Sequence, residues 1–130
     1  MEKKKKLKTW HITLIVIASI ILLVMLPYLS MQIEMQMVVR SRDARELIDY
    51  WIKKEDPKYS SEEGVIKNYK IDYSSIDHNP MGGIWVTVYI NDGSNEYINF
   101  LFVKDHGYLD IGVMVISPQL SKELKEKGYE

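Results

Sequence analysis

The sequence predicts an α+β protein with an N-terminal transmembrane helix that continues into a stalk helix, then a four-stranded antiparallel meander and a short C-terminal helix. Residues 10–29 are mostly apolar and contain no charged side chain, a length that suits the roughly 30 Å hydrocarbon core at about 1.5 Å per helical residue. Hydrophobic residues then recur at three- and four-residue steps as far as Lys54, and the period shortens to two after Gly64. Strands of that shorter period in succession are typical of a meander with a helix over one face.

The N-terminal end of the chain predicts its location. Five lysines lie within residues 1–9, and an excess of lysine before an apolar segment keeps that end of a membrane protein in the cytoplasm. We therefore expect a cytoplasmic basic tail, a signal anchor at residues 10–29, and an extracellular remainder in a single-pass protein of the cell membrane. The residues expected to face lipid are Trp10, Ile12, Leu14, Ile15, Ile17, Ile20, Leu23 and Leu26. A cleaved signal peptide is the alternative, which Tyr28 disfavours because cleavage after Ser30 needs a small residue at that place.

Residues 30–56 predict a stalk helix that packs on the domain. Its apolar stripe consists of Met37, Ala44, Leu47, Ile48 and Trp51. The helix is expected to end at Asp56, because the residue before a proline is driven out of the helical region. We expect the stripe to face the core, and the alternative is a methionine-rich partner surface. The methionines of that surface are Met31, Met35 and Met37.

The remainder, residues 57–130, predicts the meander and the last helix. The expected strands cover residues 65–73, 84–90, 96–104 and 109–116. Ser117 and Pro118 suit the N-cap and first position of a helix, and Gly128 suits its C-terminal cap. Leu120 and Leu124 form the apolar face of that helix.

The alternation of the strands assigns side chains to two sheet faces. The expected core face carries Tyr69, Ile71, Ile84, Val86, Val88, Ile98, Phe100, Phe102, Ile111, Val113 and Val115. The opposite face carries Trp85, Tyr89, Leu101, Val103, Met114 and Ile116. The second set is more apolar than a solvated face needs, so either the C-terminal helix or a partner covers it. Of the two, we expect the helix.

Charge and composition exclude several partners and chemistries. Setting aside the five lysines and Glu2 of the tail leaves 12 basic and 17 acidic residues, a net charge of −5. That sign disfavours nucleic acid and anionic lipid as partners of the domain. The chain has no cysteine, so it has neither a disulfide framework nor a cysteine nucleophile.

No residue pattern indicates catalysis, and we expect no enzyme activity, cofactor or metal. The three histidines are scattered along the chain, and the spacing of Asp72, Asp77 and His78 matches no zinc-ligand pattern. A cell-wall hydrolase would need paired carboxylates. The candidate aspartates are well separated in sequence: Asp72, Asp77, Asp92, Asp105 and Asp110.

The segment between the first two strands is the most distinctive part of the chain. Asn79 and Pro80 favour a turn, and the two glycines that follow permit positive φ or close backbone approach. One interpretation is a tight structural turn; the other is a recognition loop that presents His78 and Met81 beside the aromatic residues of the next strand. The candidate binding residues are Asp77, His78, Asn79, Met81, Gly82, Gly83, Trp85 and Tyr89.

Residues 67–84, 89–92 and 116–120 resemble the family known as domain of unknown function 1310. Members are small proteins of Gram-positive bacteria, typically with one N-terminal membrane segment. The likeness runs from about residue 65 to residue 124, and the string at residues 79–84 is its most specific part. The resemblance implies a compartment and a fold, and it supplies no activity and no catalytic residue.

The sequence therefore predicts a membrane-anchored, extracytoplasmic protein-binding module. The expected partners are the bilayer and another envelope protein or peptide, docked on the loop and the aromatic face. One version is an immunity-like protein that shields its own cell from a secreted toxin. The alternatives are a structural protein that forms a homodimer through the stalk and the open sheet face, and a cell-wall hydrolase.

Overall fold

The computed structural model describes the backbone of residues 2–129 and the side chains of residues 8–129. Within these residues the elements are α1 (Glu2–Val39), α2 (Arg42–Glu55), β1 (Tyr69–His78), β2 (Ile84–Ile90), β3 (Tyr97–Asp105), β4 (Tyr108–Ile116) and α3 (Pro118–Glu126). The strands form one antiparallel sheet in the order β1-β2-β3-β4, which confirms the predicted α+β meander. The lysine side chains of the predicted basic tail that precede Lys8 lie outside the described residues.

Two compact units divide the chain, one up to Glu34 and the other from Met35 onward. The first contains an apolar helical segment long enough to cross a membrane, and all eight residues predicted to face lipid have exposed side chains. The Thr13 and Ser19 hydroxyls donate to carbonyl oxygens one turn earlier, at 2.9 and 2.8 Å, which satisfies both hydroxyls within the helix. The segment is consistent with a signal anchor or a signal sequence.

The predicted stalk helix is broken at Arg40 and Ser41. The Ser41 hydroxyl donates to the Val38 carbonyl at 2.6 Å and accepts the Ala44 N–H at 3.2 Å, so serine ends α1 and caps α2. The break changes the phase of the apolar stripe, and Met37, assigned to the stripe, is 69% exposed. The side chains buried from this region are Met35, Val39, Ala44, Ile48 and Ile52.

The last turn of α1 and the linker after α2 are fixed by specific contacts. Gln36 Nε2 donates to the Tyr73 carbonyl of β1 at 3.1 Å, and the Arg40 guanidinium lies 4.0 Å from the Tyr73 ring centroid. Asp56 is fully buried, where its carboxylate accepts the N–H of Ile66 at 2.7 Å and of Lys58 at 3.0 Å. Asp56 therefore closes the linker into a loop whose buried backbone donors are satisfied.

The inner face of the sheet forms the core. Its fully buried or nearly fully buried side chains are Val86, Val88, Ile90, Ile98, Phe100 and Phe102. Ile48 and Ile52 of α2 and Leu120 and Leu124 of α3 are also fully buried. Ser117 caps α3 as predicted, and its hydroxyl also accepts the Tyr97 N–H at 3.1 Å, which ties the helix to β3.

The predicted face assignment is wrong in β4. Leu101 pairs with Val113 but Phe102 pairs with Ile111, so Gly112 is an extra residue in β4, a β-bulge. Beyond the bulge Val113 and Val115 lie on the outer face, 45% and 47% exposed. Met114 and Ile116, predicted on the outer face, pair with the core residues Phe100 and Ile98 instead. The period of two was assumed to be unbroken, and one added residue reverses every side chain after it.

The expected cover of the outer face by the C-terminal helix is also wrong. Leu120 and Leu124 of α3 are fully buried, whereas Val113 and Val115 keep nearly half of their surface exposed. The first strand is also displaced along the chain, because it was expected over residues 65–73 and runs from Tyr69 to His78. Asp77 and His78 belong to β1, where they pair with Trp85 and Ile84 after an irregularity that begins beyond Asp72. The predicted loop is therefore reduced to residues 79–83.

Candidate functional site

The loop between β1 and β2 is a compact turn held by its own hydrogen bonds. The Gly82 N–H donates to the Asn79 carbonyl at 2.8 Å, and the Asn79 N–H donates to the Gly83 carbonyl at 3.0 Å. The Asn79 side-chain amide donates to the Gly82 carbonyl at 3.1 Å. These groups are already paired, so what the turn offers to a partner is the Met81 side chain, which is 96% exposed.

The two glycines of the turn have different roles. Both have positive φ, +107° at Gly82 and +99° at Gly83. A Cβ at Gly83 would lie 2.7 Å from the Phe102 carbonyl oxygen and 2.9 Å from Leu101 Cδ1, whereas one at Gly82 would meet nothing within 4 Å. Gly83 therefore allows the turn to approach β3, and Gly82 only supplies the backbone conformation.

Cross-strand pairing distributes the other candidate residues. Trp85 and Tyr89 both lie on the outer face, about 13 Å apart along β2 at 3.3 Å per residue. Asp77 pairs with Trp85 on the same face, whereas His78 pairs with Ile84 of the inner face. The structure thus brings Asp77, Trp85 and Tyr89 to one surface and places Met81 at its end.

The outer face is largely apolar, and one polar pair crosses its two central strands, where Thr87 Oγ1 donates to Asn99 Oδ1 at 2.8 Å. Its apolar members are Trp85, Tyr89, Tyr97, Leu101, Val103, Tyr108, Val113 and Val115. Leu101 is 7% exposed and forms the floor, Trp85 and Tyr89 are half-buried, and Val113 and Val115 are exposed. The sequence placed Val113 and Val115 in the core. An isolated glycine inside a strand indicates a bulge, so Gly112 is the residue from which their position on the outer face could have been predicted.

Carboxylates lie at both borders of the outer face. Asp72 and Asp77 belong to β1 at one border, and Asp110 of β4 pairs with Val103 at the other. Each accepts a local hydrogen bond: Asp72 from the Ser74 N–H at 3.1 Å, Asp77 from the His78 N–H at 2.9 Å, and Asp110 from the Ile111 N–H at 2.8 Å. Within the described part of the chain none of the three is in an ion pair.

Asp77 and Asp110, at opposite borders of the face, are too far apart to act as the two carboxyl groups of a glycosidase. Three strand-to-strand steps of about 4.8 Å put the backbones of Asp77 and Asp110 on the order of 14 Å apart. The two carboxyl groups of a glycosidase are about 5 to 9.5 Å apart. Among residues 8–129 no group of three or more acidic or histidine side chains is placed to hold a metal ion.

Glu96 and Glu123 form a carboxyl pair that sequence analysis did not find. Glu96 precedes β3 and Glu123 lies on α3, and their carboxyl groups are neighbours. Burial, and then the neighbouring Glu123 carboxyl, raise the pKa of Glu96 above its ordinary value. Gln119 Nε2 donates to Glu123 Oε1 at 3.2 Å and Asn91 Nδ2 to Glu96 Oε2 at 3.4 Å. The pair can share a proton, which links α3 to the turn before β3.

Comparison with known proteins gives one family and no activity. A family model described as "Protein of unknown function (DUF1310)" matches residues 9–123. No curated protein and no solved structure matches the chain. The match includes the apolar segment of α1 and most of α3, so it is longer than the resemblance seen in the sequence, which began at about residue 65. The chain belongs to the DUF1310 family.

Proposed function

We propose that this protein is a single-pass membrane protein whose domain lies outside the cell and binds another envelope protein through the outer face. The observation that carries the proposal is the exposure of Val113 and Val115 beside the buried Leu101. The domain already has a complete core on the other side of the same sheet. A broad apolar surface that the fold does not cover is typical of a protein interaction site.

The outer face has the composition of an interface. Two of its half-buried residues, Trp85 and Tyr89, are of the types that carry most binding energy, and Tyr108 at its end is 79% exposed. Met81 extends the same apolar surface from the neighbouring turn, and methionine adapts to irregular partners. Binding, rather than catalysis, is the activity that these residue types support.

The proposed topology follows from the N-terminal segment. The apolar helix exposes its side chains all round, and the lysines that precede it favour a cytoplasmic N-terminus. The domain would then meet proteins of the cell envelope or proteins arriving from outside. An immunity-like role is one version of this function.

Self-association through two outer faces is less well supported. Both borders of the outer face carry carboxylates, so a face-to-face pair of copies brings carboxylate against carboxylate in either orientation. Like charges placed together at an interface oppose association. The borders therefore favour a different protein as partner.

The test is crosslinking in intact cells from a photoreactive side chain at Val113, with one at Lys122 of α3 as the matched surface control. Both positions are exposed, so neither replacement disturbs the core. The proposal expects a discrete adduct with another envelope protein from position 113 and none from position 122. It also expects that adduct to weaken when Val115 is changed to serine. Adducts only with a second copy, or the same products from both positions, would contradict it.

A further inference from the structure

We infer that the outer face binds a basic, amphipathic peptide segment of its partner, an inference that rests on the function proposed above. Apolar side chains of the segment would cover the apolar part of the face around Trp85, Leu101 and Val113. Lysine or arginine side chains would reach the carboxylates at the two borders.

The dimensions of the face suit a single segment. Four strands spaced by about 4.8 Å give a width on the order of 14 Å between the outermost backbones. An α-helix with its side chains is about 10 to 12 Å across. A helix that lies parallel to the strands and crosses the row of Trp85, Leu101 and Val113 would thus have both borders within reach of long basic side chains.

The charges on the face are strongly unequal. Asp72, Asp77 and Asp110 lie at its borders, whereas Lys70, paired with Tyr89, is the basic residue that the described strands place on it. The three carboxylates have no ion-pair partner in residues 8–129. The part of the chain beyond the basic tail has a net charge of −5. A positively charged partner is therefore attracted from a distance and held in register at the borders.

The same charges disfavour the other occupants. An anionic membrane surface would be repelled by the border carboxylates, and a second copy would bring carboxylates together. A neutral apolar segment would cover Leu101 but would leave the carboxylates without partners. The basic amphipathic segment is the occupant that satisfies both the apolar part of the face and the acidic borders.

The test uses the full-length protein in nanodiscs of zwitterionic lipid and three fluorescent peptides. One peptide is built of leucine and lysine, the second has glutamate in place of lysine, and the third has serine in place of leucine. Binding is followed by fluorescence anisotropy, with empty nanodiscs as the baseline. The variants are the double substitution Asp77→Asn with Asp110→Asn, and Asp92→Asn as a matched control, since Asp92 lies in the turn between β2 and β3.

The leucine–lysine peptide should bind, and both other peptides should bind much more weakly. The double variant should lose about tenfold in affinity, which corresponds to about 1.4 kcal/mol, because it removes two exposed ion pairs with the peptide. Asp92→Asn should leave the affinity unchanged, and added salt should weaken binding to the wild-type chain more than to the double variant.

Equal binding of the lysine and glutamate peptides would overturn the inference, as would an unchanged affinity of the double variant or no binding of any peptide. None of these outcomes contradicts the proposed function, which the crosslink from position 113 tests separately. If that crosslink names a partner and the peptides fail, the face binds a protein segment of another chemistry. If the peptides bind as expected and the crosslink gives only self-adducts, the chemistry of the face stands and the proposed function fails.

Discussion

The turn between β1 and β2 allows a paired test of close packing against backbone conformation. Gly82 and Gly83 are adjacent and have similar positive φ values, +107° and +99°. Replacement by alanine imposes the same kind of backbone strain at both positions. Only at Gly83 would the new Cβ also meet β3, 2.7 Å from the Phe102 carbonyl oxygen and 2.9 Å from Leu101 Cδ1.

The expected losses follow from these two terms. Strain at a residue held in a sparsely populated backbone region costs about 1 to 3 kcal/mol, which is the whole expected effect of Gly82→Ala. Overpacking adds about 1 to 3 kcal/mol when neighbouring atoms must move. At Gly83 one neighbour is a backbone carbonyl of a central strand, which cannot move without distorting the sheet. Gly83→Ala should therefore lower the free energy of unfolding by roughly 2 kcal/mol more than Gly82→Ala, within that range.

The assay is urea unfolding of the full-length protein in a mild detergent, followed by intrinsic fluorescence. Both variants should keep the slope of the transition and differ in its midpoint, because the surface exposed on unfolding is the same. Equal midpoints for the two variants would refute the reasoning, since they would show that the turn does not approach β3 closely. A larger loss from Gly82→Ala would refute it as well.

Three further predictions concern stability. Asp56→Ala should lower the free energy of unfolding by about 3 kcal/mol, because the buried Ile66 N–H loses its acceptor. Asp56→Asn keeps an acceptor oxygen and should lower the free energy of unfolding by less. Equal urea midpoints for the two variants would contradict the assignment of this hydrogen bond. The pKa of Glu96 is raised in the folded chain, so the folded state holds this proton more tightly than the unfolded state. The resulting stabilisation of the folded state is complete below the ordinary pKa of glutamate, and it is lost as the pH rises through the folded pKa. Glu123→Gln should reduce that loss, and identical urea midpoints against pH for variant and wild type would contradict the coupling. Val113→Ser should change stability by no more than about 0.5 kcal/mol because the side chain is exposed, and a loss typical of a core valine in the same assay would place it in the core.

Local patterns in the sequence predicted the elements of the fold well. The apolar N-terminal segment, the alternation in β2 and β3, and the Ser117–Pro118 cap each depend on residues close in sequence, and the structure has all of them. The break at Ser41 was missed because a serine inside a helical pattern fits either a helix or a cap. The structure shows the cap, since the Ser41 hydroxyl accepts the Ala44 N–H.

The outer face was only partly predictable. Trp85 and Tyr89 were assigned to it correctly by simple alternation. Val113 and Val115 were not, because the bulge at Gly112 shifts the register by one residue and periodicity alone does not locate a bulge. The Glu96–Glu123 pair joins residues far apart in sequence, so no local pattern could have indicated it.

The most direct test of the binding role measures how accessible the outer face is in living cells. The chain has no cysteine, so Val113→Cys and Lys122→Cys each introduce a single site for a membrane-impermeant maleimide. Labelling rates are compared between intact cells and the purified full chain in nanodiscs. We expect Lys122→Cys to react equally fast in both and Val113→Cys to react several times more slowly in cells, where a partner covers the outer face. Equal rates for Val113→Cys would contradict the binding role, and no labelling of Lys122→Cys in intact cells would contradict the extracellular location of the domain.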